Sequence, residues 1–189
     1  MDAPIVVAVI VGTTRVQRMT PRVAALVAEV GRGYDDVEVV WVDPDDFDLP
    51  GDGNDPEGKD PRYTAITERA DAFLIVSPEY NHGYPGSLKR LLDSELANYY
   101  RKPVAFVGVS ATPWGGVRGI ELLVNVTREM GLIATSVDAY VARVYDVFAR
   151  DDLTGGLTEE DRATYARRFA RVWDELLWFA RPLKAAREG

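Results

Sequence analysis

The sequence predicts an α/β fold: a doubly wound, open sheet of five parallel strands with helices on both faces. Three observations predict it. Short Val- and Ile-rich runs, nearly free of polar residues, recur along the chain, as strands buried on both faces do. Between them lie stretches with apolar residues at helical spacing and cap residues at their ends. The 189 residues are 47% hydrophobic and 28% charged, a mixture that suits one domain able to bury roughly 70% of its unfolded surface.

In chain order, the strand candidates are Ile5 to Val11, Val37 to Val42, Ala72 to Val76, Pro103 to Val109 and Ile133 to Val141. After the first, Thr20 is expected to cap a helix with Pro21 at its first position. Val23, Leu26, Val27 and Val30 share one face of that helix, and Gly31 and Gly33 end it. Tyr63 to Arg69 reads as a shorter helix. Pro85 opens another, expected to run to about Tyr99, and Val117 to Met130 forms a fourth, stopped by Gly131. Thr158, with Glu160 and Asp161 in the first turn, caps the last helix, over about 158–182. There Tyr165, Phe169, Val172, Trp173, Leu176 and Leu177 make a core stripe, while Trp178 falls on the opposite side. Asp43 to Pro61 breaks the rhythm, with seven Asp, one Glu, four Pro and three Gly in nineteen residues. It is expected to be a long surface loop, either functional or mobile. No repeat or linker interrupts the chain, so residues 1–189 are expected to form one domain.

Charge and composition exclude several function classes. Twenty-two Lys and Arg against 30 Asp and Glu give a net charge of −8, which argues against a nucleic-acid footprint. No apolar run approaches the ~20 residues of a membrane span, and Met1-Asp2-Ala3-Pro4 has no basic stretch ahead of its aliphatic run, so a soluble, cytoplasmic protein is expected. Without cysteine, thiolate catalysis, disulfides and thiolate metal sites are absent. His82 is the only histidine, so imidazole metal clusters and histidine triads have nothing to build on. Redox chemistry would have to come from a cofactor.

Ligands of such sheets bind outside the carboxyl ends of the strands, where strand order reverses. The first such loop is Gly12-Thr13-Thr14-Arg15-Val16-Gln17-Arg18-Met19-Thr20-Pro21-Arg22, running into a helix. Hydroxyls, helix-terminal N–H groups and guanidinium groups together suit a dianionic phosphate monoester. The loop is neither G-x-G-x-x-G nor a Walker sequence. After strand three, Ser77-Pro78-Glu79-Tyr80-Asn81-His82-Gly83-Tyr84-Pro85-Gly86-Ser87-Leu88-Lys89 contains a turn stiffened by Pro and Gly, which can aim backbone groups at a flat heteroaromatic ring. After strand four, the paired glycines of Ser110-Ala111-Thr112-Pro113-Trp114-Gly115-Gly116-Val117 allow the main chain close to a ligand.

Together Gly12-Thr13-Thr14-Arg15, the Pro78 to Lys89 segment and the Ser110 to Gly116 loop resemble the NADPH-dependent FMN reductase family, flavodoxin-like azo-, quinone- and chromate-reducing flavoproteins. The likeness covers roughly Ile5 to Tyr145. It implies a flavodoxin-like strand order of 2-1-3-4-5, FMN as cofactor, and hydride taken from NADPH or NADH and passed to a small-molecule electron acceptor. It implies that Thr13, Arg15 and Arg18 hold the FMN phosphate and that Pro78, Glu79, Tyr80 and Asn81 meet the isoalloxazine through their backbone. Ser110, Gly115 and Gly116 would complete the pocket. Many members carry Ser at the place of Thr13 and a small hydroxyl residue at that of Arg18. The resemblance also implies a homodimer or homotetramer, which agrees with Leu122 and Val126 lying opposite Val117, Ile120 and Val124 on one helix.

Within this reading His82 is expected to be a turn residue and Glu79 a structural one, leaving no indispensable catalytic side chain. Lys59 and Arg62 are candidates to meet a 2′-phosphate. The alternative is a flavodoxin-like electron carrier that docks protein partners without nicotinamide turnover, and a third is a flavin-free binding domain.

Overall fold

The computed structural model describes residues 3–49, 51, 53, 55–148 and 157–189. Its parallel sheet runs β2 (Val37–Val42), β1 (Ile5–Val11), β3 (Ala72–Pro78), β4 (Pro103–Val109), then β5 (Ile133–Ala134), with β6 (Ala139–Val141) also pairing with β4. β1, β3 and β4 are buried along their whole lengths, as strands covered on both faces must be. Alternation along each strand divides the core into two layers. Val7, Val9, Val11, Leu74, Val76 and Val107 face α1 (Thr20–Gly31) and α6 (Glu159–Glu188). Ala8, Ile10, Phe73, Ile75 and Phe106 face α2 (Pro61–Arg69), α3 (Gly86–Asp93) and α4 (Val117–Glu129). This is the flavodoxin-like order and architecture expected from the sequence.

Local chemistry moves several boundaries. The fifth strand is interrupted because the Glu175 carboxylate, from α6, accepts the Val137 N–H at 2.5 Å and the Ser136 hydroxyl at 2.7 Å. A side chain thus takes a hydrogen bond that a ladder would otherwise use. α3 stops at Asp93, short of the expected Tyr99. The Ser94 hydroxyl bonds back to the Leu91 carbonyl at 2.7 Å, and Glu95, 3% exposed, turns inward toward Thr64, Lys59 and Asn98. A single 3₁₀ turn, Ala97–Tyr99, follows. Thr20 lies inside α1; the N-cap is Met19, which offers no side-chain acceptor. Thr158 does cap α6, accepting the Asp161 N–H at 3.0 Å. α6 continues through Pro182 to Glu188, because Lys184 and Arg187 in its last turns both pair with Asp71.

The stripe on α6 is buried as expected, with Trp173 wholly inside and Trp178 68% exposed. Gly31 makes room for it: a Cβ there would lie 2.3 Å from the Trp173 ring, whose Nε1 donates to the Val27 carbonyl at 2.9 Å. The acidic loop is pinned at both ends, by the 3₁₀ turn Pro44–Asp46 and by Asp60, which accepts the Asp48 N–H at 2.8 Å and caps α2. On α4, Leu122 is exposed, whereas Val126 packs against the chain's own core. The two-sided apolar face expected there reduces to Leu122. Among the described residues, no helix is long and apolar enough to cross a membrane.

Candidate functional site

The β1–α1 loop starts at Gly12, whose N–H bonds to the Val76 carbonyl at 2.8 Å. A Cβ there would lie 2.7 Å from that oxygen, so glycine alone lets the loop leave β1 so close to β3. Thr13 is buried. Its hydroxyl accepts the Arg15 N–H at 3.2 Å and meets the Tyr80 hydroxyl at 2.9 Å, tying this loop to the one after β3. The three arginines then part ways. Arg22 donates to the Phe148 carbonyl at 2.9 Å. Arg18 pairs with Asp43 at 2.7 Å and Asp45 at 2.9 Å, and donates to the Thr13 carbonyl. Arg15 lies over the Tyr80 ring, 5.6 Å from its centroid, and meets no carboxylate among the described residues. Burial pushes the Asp43 carboxyl above its ordinary range, against the pull of the Asp45 N–H and Arg18.

After β3 the chain makes a two-residue reversal. Tyr80 and Gly83 exchange N–H···O bonds of 2.8 and 2.9 Å, with Asn81 at φ 51° and His82 at φ 67° between them. That is the left-handed pair a primed hairpin turn requires, and Asn and His are among the residues that tolerate it. The turn sits on α4, where a Cβ at Gly119 would come within 3.0 Å of the Gly83 carbonyl. Glu79 binds the first turn of α4: its carboxylate accepts the Arg118 N–H at 3.2 Å and pairs with the same residue's guanidinium. Arg118 also donates to His82 Nε2 at 2.7 Å and lies 5.8 Å from the Trp114 ring centroid. Glu79 is therefore a brace, and His82 Nε2 is occupied as an acceptor.

In the loop after β4, the Ser110 hydroxyl donates to the Thr112 carbonyl at 2.8 Å. Gly115 (φ 65°) and Gly116 (φ 91°) are left-handed, and each has a close neighbour within the protein. A Cβ would lie 2.7 Å from Tyr140 Cβ at the first and 2.7 Å from the Val109 nitrogen at the second. Their freedom thus folds the loop onto the sheet.

A cavity of about 130 Å³ opens at this end of the sheet, lined by Arg15, Arg18, Pro78, Glu79, Tyr80 and Ser110 together with Thr20 and Tyr145. Of the residues expected from the sequence, Thr13 joins it through Tyr80, whereas Asn81, Gly115 and Gly116 do not line it. Tyr145, on α5 (Val144–Phe148), was missed by sequence reasoning. Its signal was its place just after the fifth strand, the position that marks ligand loops elsewhere in this fold. Lys59 and Arg62, the candidates for a 2′-phosphate, are bound to Glu95 at 3.3 Å and Asp60 at 2.5 Å. A larger cavity, about 410 Å³, lies at the opposite, amino end of the strands. There Asp71 pairs with Lys184 and Arg187, and Lys102 bonds to the Thr67 and Glu68 carbonyls, so these charges tie elements together.

The model of the NADPH-dependent FMN reductase family matches residues 5–145. The chain belongs to that family. It is similar to a quinone reductase of Pseudomonas putida, 33% identical over 120 residues, which are 58% of this chain and 62% of the relative. It is also similar to an NAD(P)H-dependent FMN reductase of Schizosaccharomyces pombe, 31% identical over 109 residues, 52% of this chain and 54% of the relative. The chain therefore spans less than two thirds of the length of these relatives. Among solved structures, FerB, a flavoenzyme NAD(P)H:(acceptor) oxidoreductase from Paracoccus denitrificans, superimposes with a TM-score of 0.71 at 22% identity. The match covers 92% of this chain and 98% of FerB, and it bears out the fold. The family match covers all three loops that carry the resemblance seen in the sequence.

Proposed function

We propose that this FMN reductase family member is an FMN-dependent NAD(P)H oxidoreductase, passing hydride from a nicotinamide through FMN to a small acceptor such as a quinone. The observation that carries the reading is the donor set at the head of the 130 Å³ cavity. Arg15 is the loop arginine with no acceptor among the described residues, and α1 begins beside it with no side chain on its first N–H groups. Pro21 has no N–H and the Arg22 and Val23 N–H groups bond to the Met19 carbonyl, so the main-chain donor that α1 brings is the Thr20 N–H, which next to an uncompensated guanidinium fits a phosphate monoester. The cavity is smaller than the roughly 300–1,000 Å³ of pockets that engulf a whole ligand, so it suits the phosphate end, the rest extending beyond it.

In this reading Thr13, Arg15 and the start of α1 hold the phosphate. The rigid Pro78 to Asn81 turn presents its main chain to the ring, and Ser110 and the Gly115–Gly116 loop support that wall from below. When bound, FMN supplies a hydride acceptor at N5 that can release electrons to a second substrate. The protein contributes orientation: Glu79 and Arg118 hold the turn, Tyr80 ties it to the phosphate loop, and Tyr145 and Trp114 are exposed as apolar surfaces for planar acceptors. The same reading has the chain act as one flavin-binding unit in the cytoplasm, as a homodimer or homotetramer.

The test is a visible spectrum of the purified protein, followed by anaerobic addition of NADPH or NADH. Bound FMN bleached by nicotinamide is the expected result. FAD in its place, or no flavin uptake at micromolar concentration, overturns the assignment.

A further inference from the structure

The phosphate loop carries a second cation whose surroundings differ from those of Arg15. Arg18 Nη2 donates to Asp43 at 2.7 Å and lies 2.9 Å from an Asp45 carboxylate oxygen, and Nη1 donates to the Thr13 carbonyl. The side chains of Arg18 and Asp43 are 16% and 12% exposed, so water screens this pair weakly. Asp43 is fixed in turn, its other oxygen accepting the Asp45 N–H at 3.1 Å. It directly follows β2, whose Val42 is in register with Ile10 of β1. Two carboxylates on one guanidinium leave the cluster with excess negative charge, an environment that does not recruit a dianion. What the cluster does hold is main chain. The Thr13 carbonyl is turned toward Arg18, which fixes the residue whose hydroxyl bonds to both the Arg15 N–H and Tyr80.

We infer that Arg18 is a positioning residue and not a phosphate contact. Locked by Asp43 and Asp45, it sets the shape of the phosphate loop through the Thr13 carbonyl. The first residues of the acidic 43–61 segment thereby become part of the flavin site, although they touch no ligand. The inference rests on the FMN reading above and gives the start of that segment a function.

The test is flavin-fluorescence quenching with FMN and with riboflavin, which lacks the phosphate, at low and high KCl. The proteins are the wild type, Arg15→Ala, Arg18→Met, Asp43→Asn, Asp45→Asn and the Arg18→Met/Asp43→Asn double variant. Arg15→Ala should weaken FMN and flatten its salt dependence while sparing riboflavin. Arg18→Met should weaken FMN yet keep the wild-type salt dependence. Asp43→Asn should do the same, and the double variant should be no weaker than the worse single one, as expected of residues acting through one contact. Asp45→Asn, whose side chain is half-exposed, removes the more solvated half of the lock and should weaken FMN in the same sense as Asp43→Asn but by less. Tightening of FMN beyond about threefold in Asp45→Asn would mean that a released Arg18 reaches the phosphate, and would overturn the inference. So would an Arg18→Met variant that flattens the salt dependence as Arg15→Ala does, or losses that multiply in the double variant. A wild type that quenches neither flavin would remove the FMN reading itself, and this inference with it.

Discussion

Glu79 and His82 share Arg118, and that sharing limits the chemistry open to either. A carboxylate with one oxygen on the Arg118 guanidinium and the other on the Arg118 N–H is held in a bracing position, and a ring nitrogen that accepts from arginine is not a free donor. With flavin bound, Glu79→Gln and His82→Ala should each slow bleaching by NADPH in anaerobic stopped flow by about 10-fold, far from the 10²–10⁴-fold of a general acid or base. A drop of about a thousand-fold at full flavin occupancy would reveal a proton transfer that the geometry hides. Asp138 makes a second residue-scale case. Burial lifts its carboxyl to about 6, because Oδ1 is buried with no partner while Oδ2 accepts only from the Tyr140 hydroxyl at 3.0 Å. Its folded-state value lies above the unfolded one, so its contribution to stability is complete below about pH 4 and is lost as pH rises through about 6. Asp138→Asn should therefore melt with the wild type in acid and above it at pH 7, in a series of thermal scans.

Gly31 shows how an element can be right in position and misread in purpose. It ends α1 as glycine often does, yet its missing side chain is space for the Trp173 ring. Glycine to alanine in a helix normally gains about 1 kcal/mol. Here the Cβ would overlap the ring, and Gly31→Ala should lose about 1–3 kcal/mol in urea titration. The same contrast runs through what was legible beforehand. β1, β3 and β4 could be read directly because burial on both faces writes itself as an unbroken aliphatic run. The break in the fifth strand could not, since Glu175 reaches it from a helix 38 residues further on. Nor could the early end of α3, which depends on the burial of Glu95 beside Lys59 and Thr64. The last helix runs past the expected end at about 182 because the anchoring of Lys184 and Arg187 to Asp71 is invisible in the local sequence. In the site, residue types marked the three loops, but which arginine is spoken for depends on Asp43, Asp45 and Phe148, 25 to 126 positions away.

At the scale of the whole molecule, Leu122 and Trp178 are the large apolar side chains left on the outer faces of α4 and α6, 50% and 68% exposed. An oligomer is the reading we favour, and light scattering should return a mass at least twice the 21.0 kDa of one chain. Leu122→Glu should reduce that mass without lowering the melting temperature of the subunit, since Leu122, unlike Val126, gives nothing to its own core. The long reach of α6 bears on how the chain comes to be folded. Its Trp173 bonds to Val27, 146 positions earlier, and its stripe shares one layer with the valines of β1 and the α1 face. Until the stripe of α6 has left the ribosome, one side of a sheet built from Val7, Val9, Val11, Leu74 and Val76 stands partly bare. The nascent protein must carry that sticky surface while the 146 positions from Val27 to Trp173 are made, at roughly 5–20 residues per second. It is during those seconds that a chaperone would find it.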